Sequence, residues 1–156
     1  MMKTNLKKLI ADYLREAKLM QVATSKNNKP WVATVWYVHD EDWNLYFISR
    51  HNRRHSFDLK ENPNVAGTIV KSHKTLGVKV RGIQFEGKAL KVSITELPDA
   101  FNLFVKRYPK AKVHINSVND TIKNITGTCI YKIIPLRIVL FDEVNFPDNP
   151  RQELKL

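Results

Sequence analysis

At 156 residues, with 43% hydrophobic and 10% aromatic side chains, the chain has the size and composition of a single folded domain, 1–156, and not of a disordered segment. Its formal charge of +11 is not a basic tail: residues 1–76 carry 13 basic and 7 acidic side chains, and residues 77–156 carry 13 and 8, so anionic partners in general are implied. No run approaches the ~20 apolar residues of a membrane span, no signal-peptide pattern opens the chain, and a lone cysteine, Cys129 in an apolar run, fits a reducing, cytoplasmic setting.

Leu6, Leu9, Ile10, Tyr13, Leu14 and Ala17 recur at helical spacing, with Thr4 or Asn5 as a cap. The period then changes to that of strands over 19–24, 31–38 and 45–48, joined by the polar turns 26–30 and 40–42, which makes an antiparallel meander. A short helix over about 53–60 is stopped by Asn62-Pro63. A fourth strand covers 65–70, and a long β segment covers 78–92, where the alternation slips at Arg81-Gly82 and predicts a bulge or bend. Residues 98–108 read as a helix, 109–125 are ambiguous, and 128–134 and 137–141 read as two strands separated by Pro135. The tail from Asn145 has no internal period. The pattern is mainly β (α+β): a small antiparallel β-barrel of six or seven strands with peripheral helices.

The segment 49–56 carries the strongest chemical signal. With Asn52 as cap, Arg53, Arg54 and His55 occupy a first helical turn, where the macrodipole favours anions. A bound phosphate would remove that conflict; a solvated charge run is the alternative. His51 and His55 are four apart, but no third ligand lies near, so no metal is expected. Both faces of 31–38 are mostly apolar, which implies a core on one side and a helix, a partner or a planar ligand on the other. There is no Gly-rich phosphate loop, nucleophile elbow or paired-carboxylate motif, and no side chain stands out as catalytic.

The run Phe47-Ile48-Ser49, then Arg54-His55, Leu59, Asn62-Pro63 and Val65, resembles the pyridoxamine 5′-phosphate oxidase-like, flavin-binding split-barrel superfamily. The segment 80–89, with Val80-Arg81-Gly82, Gly87 and Ala89, is similar to the family's next landmark. The likeness is to short bacterial members of unassigned activity, not to the vitamin B6 oxidase, whose C-terminal Arg and His signature is missing from 146–156. The resemblance implies a homodimeric split barrel with FMN between the two copies. It places Ala33, Thr34, Val35 and Trp36 beside the flavin ring, Arg54 and His55 at its phosphate and the Ser49 hydroxyl in the same region, where the helix-start pattern adds Arg53. Arg81 and Gln84 stand in for a glutamine that Gly82 replaces. His55, where the family has Lys, would make phosphate affinity weaken as pH rises past imidazole deprotonation.

The expected function is FMN-dependent transfer of hydride or electrons to an unknown small molecule. The alternative is a non-catalytic module for FMN, a flavin-like cofactor or haem. A basic barrel binding nucleic acid is the third reading. Evenly spread charge speaks against it, so neither nucleic acid nor membrane is expected as a partner.

Overall fold

The computed structural model describes residues 5–156. Asn5 caps helix α1 (Leu6–Glu16) by accepting from the Lys8 amide at 3.1 Å. Thr4, the other expected cap, lies outside the described residues. Ile10, Tyr13 and Leu14 face inward from α1. Strands β1 (Leu19–Lys26) and β2 (Lys29–His39) form a two-residue hairpin through Asn27 and Asn28, both at positive φ, as a type I′ turn requires. Strand β3 (Leu45–Arg50) returns along β2 and leads into helix α2 (Arg54–Glu61). Strands β4 (Asn64–Ile69) and β5 (Arg81–Lys91) follow. Helix α3 (Leu97–Arg107), a 3₁₀ turn (Pro109–Ala111) and short helices α4 (Lys112–Ile115) and α5 (Val118–Ile122) precede strands β6 (Thr128–Asp142) and β7 (Arg151–Leu154).

The sheet order is β3-β2-β1-β4-β5-β6-β7, and a β3–β6 pairing closes six antiparallel strands into a barrel. One edge of β6 follows β5 throughout. The other pairs with β3 over 128–133 and then with β7 over 138–141. Between β2 and β3 the register runs only from Tyr37↔Phe47 to His39↔Leu45. Positions 29–36 of β2 therefore pair with β1 alone, and the barrel is split there.

Inside the barrel lie Met20, Tyr37, Phe47, Ile83 and Ile133, sealed by Ile10 and Leu14 of α1. A second core forms outside it, where Phe101, Phe104 and Ile115 of the α3–α5 segment cover Val38, Tyr46 and Ile130. That cover stops short of the rest of β2. Val32 and Trp36 remain 58% and 51% exposed, so the outer helices account for only one end of the strand.

Five features differ from, or go beyond, the sequence reading. β5 begins at Arg81, so Val78 and Val80 belong to the preceding loop, and the register shift falls at Glu86/Gly87. Its cause is Pro135, which cannot donate to the ladder yet sits within one continuous β6 opposite Gly87. A Cβ on Gly87 would lie 2.4 Å from the Ile134 carbonyl oxygen, so only glycine admits this approach. The tail holds β7, and the ambiguous stretch holds the 3₁₀ turn, α4 and α5. No helix among the described residues is long and apolar enough to cross a membrane.

Candidate functional site

The first turn of α2 spans the mouth of the split. On the β3 side, Ser49 Oγ and His55 Nε2 share a hydrogen bond of 2.6 Å. On the β2 side, Arg54 donates to the Lys29 carbonyl at 3.2 Å and lies 4.9 Å above the Trp31 ring. The expected cap was Asn52; the capping position is Arg53 instead, and no side chain caps the helix. The amides of Arg54, His55 and Ser56 thus have no intrahelical acceptor. The preceding loop is pinned by His51, whose backbone N–H and Nδ1 both meet the Gly127 carbonyl.

The charges around this turn are unevenly committed. Arg54 lies 3.7 Å from Asp58, a buried carboxylate that also accepts from Thr24 Oγ1 at 2.8 Å. Arg53 and Arg50 are exposed, and among the described residues neither has a carboxylate within ion-pair distance. His55 differs from both. Its ring is buried against Phe47, and burial, with Arg53 adding to the effect, holds its pKa below the ordinary imidazole value against the pull of Asp58. At neutral pH it is an uncharged hydrogen-bonding group, which moves the expected loss of phosphate affinity to lower pH.

Of the four β2 positions, Val35 is buried, Ala33 is half-buried, and Thr34 and Trp36 are exposed on the outer face. Arg81 and Gln84 are not brought to α2 within one protomer. Gln84 lies three ladder steps from Thr34, through Thr68 and Gln21, which is about 14 Å across the sheet. Arg81 borders a separate basic recess with Tyr13, Lys71 and Lys74.

Sequence reasoning missed a cleft of about 540 Å³ beside Trp36. Its floor is Trp36, Ile48 and Phe104, and its wall is the 3₁₀ turn after α3. Tyr108 meets the Trp36 ring edge-on, with centroids 5.4 Å apart. The available signal was the run 106–114, which holds four Lys or Arg and His114 without an acid. Among the described residues no three His, Cys, Asp or Glu side chains cluster as metal ligands.

A family model described as pyridoxamine 5′-phosphate oxidase matches residues 6–137. The chain belongs to this family. A UPF0306 protein of Yersinia pestis is 31% identical over 106 residues, covering 67% of this chain and 71% of its own. Among solved structures, a heme-binding protein from Mycobacterium smegmatis superposes with a TM-score of 0.72 at 15% identity, over 93% of this chain. The chain spans only 57% of that protein's length. A putative pyridoxamine 5′-phosphate oxidase from Listeria innocua superposes at 0.62 and 15% identity, over 87% of this chain and 98% of its own. At such identities the structures share a fold with this member of the family, and the cofactor has to be argued from its own residues.

Proposed function

We propose that this protein binds FMN between the two copies of a homodimer and passes hydride or electrons to a small molecule. One observation carries the reading: the first turn of α2, with three uncapped amides and the cations Arg53 and Arg54, bridges the split beside the one-sided stretch of β2. The donor set fits a phosphate, which accepts from backbone amides and guanidinium groups alike. The outward edge of Ala33–Thr34–Val35 offers backbone groups to the polar rim of a flavin ring, and Trp36 and Val32 offer exposed apolar surface to its plane.

Bound FMN would supply the redox chemistry. The chain's own groups hold the phosphate, orient the ring and exclude water from one face. Ser49 would present its hydroxyl to the phosphate while remaining bonded to His55. A second copy packed on the exposed β1–β2–β4–β5 face would cover Val32 and Trp36 and would bring its Gln84 toward the ring. Membership of the family, and a fold shared with a heme-binding protein, support the reading at the level of a planar cofactor.

Replacing Arg54 by Ala should weaken FMN binding at least about tenfold at low salt, the size of one charge-assisted hydrogen bond. Unchanged affinity would remove the phosphate assignment. A second reading, a haem-type cofactor, is favoured by the exposed imidazole of His114 beside the apolar cleft. Hemin binding with a Soret shift that His114→Ala abolishes would select it over FMN.

A further inference from the structure

The apolar cleft and the basic run around it are separate from the phosphate end of the site, and among the described residues none of the basic side chains lining the cleft is paired with a carboxylate. We infer that the cleft beside Trp36 binds a flat, apolar molecule bearing a carboxylate, held at the rim by Lys110 and His114. Its role as the substrate site rests on the flavin reading, because Trp36 is the last of the β2 positions beside the ring; the binding itself does not.

The floor selects for flat apolar matter. Trp36 and Tyr108 stand edge to face, Ile48 and Phe104 lie beneath them, and about 540 Å³ is the volume of a small-ligand site. The rim selects for negative charge. Lys110 and His114 are exposed at the mouth, and among the described residues no carboxylate lies within ion-pair distance of either. Of the acids on neighbouring elements, Glu96 pairs with Lys132 and Asp120 accepts from Asn116 and Ser117, while Asp99 sits in the first turn of α3, at the far end of that helix from the cleft.

Arg107, the remaining basic residue at the cleft, decides the kind of anion. Arg107 donates to the carbonyls of Leu14 and Ala17 at 2.9 and 2.6 Å and stacks on Tyr37 and Tyr108. These bonds, with one to the Arg15 carbonyl, all leave from Nη2, the nitrogen common to both bidentate edges of the guanidinium, so neither edge is free for an anion. That leaves the Lys110 ammonium and the His114 imidazole as separate single-point donors, with no fork to grip a phosphate in bidentate fashion, an arrangement suited to a carboxylate.

The test titrates 2-naphthoate into the full-length protein and follows tryptophan fluorescence, with 2-naphthalenemethanol and 2-naphthyl phosphate as comparators. Naphthoate should bind about fivefold tighter than the alcohol at low salt, and added salt should erase the difference. Lys110→Gln combined with His114→Gln, both at exposed positions, should bring naphthoate down to the alcohol. Trp36→Ala should weaken all three probes. Equal binding of naphthoate and alcohol, or an unaffected double variant, would overturn the rim assignment, and a phosphate well above naphthoate would overturn the carboxylate. Hemin carries the same two features and is run in parallel. Displacement of naphthoate by hemin, lost in the double variant, would show that a haem propionate can take the same rim; no displacement would confine the cleft to smaller carboxylates. FMN titration of Arg54→Ala separates the two proposals, because losing FMN there while naphthoate binding persists touches the flavin site alone.

Discussion

Ser49 Oγ lies 2.6 Å from His55 Nε2, and this bond turns the imidazole toward β3 and into the barrel. The histidine that the sequence presents as a third cation of the phosphate cluster is therefore neutral in the folded chain, held so by burial.

The pH dependence of stability follows from that. His39 is also held below the ordinary imidazole value, again chiefly by burial. As pH falls, the unfolded chain takes up these protons before the folded one does. Stability should be full above the ordinary imidazole value and decline below it, levelling off once the folded imidazoles protonate. Urea midpoints should drop between about pH 7.5 and 5.5, and His55→Gln should flatten the slope. A bound phosphate favours the imidazolium, so FMN should bind more tightly on acidification, and this gain should vanish in His55→Gln. A flat stability profile across that range would contradict the buried, neutral assignment.

Arg107 joins elements about ninety residues apart by donating from the end of α3 to the carbonyls that close α1. Arg107→Met keeps the aliphatic stem and leaves those carbonyls without their donor. The cost should be about 2 kcal/mol, or roughly 4–8 °C in melting temperature for a domain of this size. A melt unchanged within error would mean that water replaces the guanidinium fully.

Gly87 faces Pro135 across the register shift, and an added Cβ would meet backbone atoms at 2.4 and 2.9 Å. Backbone cannot yield as a flexible side chain can. Gly87→Ala should destabilise by at least about 1–3 kcal/mol, read from the urea midpoint. A neutral substitution would show that the two strands can part there without loss.

Much of the barrel was legible because strand burial follows alternate residues. Ile83, Phe85 and Ala89 point inward while Gln84, Glu86 and Lys88 point out, a pattern visible without coordinates. β7 was illegible because Arg151–Leu154 owes its strand character to pairing with β6 and not to its own period. Pro135 read as a break because sequence shows a missing donor but not the glycine opposite that accommodates it. At the site, the cationic first turn of α2 was legible in composition. The inward turn of His55 and the spent fork of Arg107 were not, since both depend on what other elements bring against them.

The central claim is a flavin phosphate at the first turn of α2 in a dimer. The most direct test is the visible absorbance of the protein titrated with FMN, with elution volume measured on the same samples. The account predicts a saturable, perturbed flavin spectrum on a dimer, lost when Arg53 and Arg54 are both replaced by Ala. A folded protein that leaves the FMN spectrum unchanged, or binds it equally well without those arginines, would contradict it.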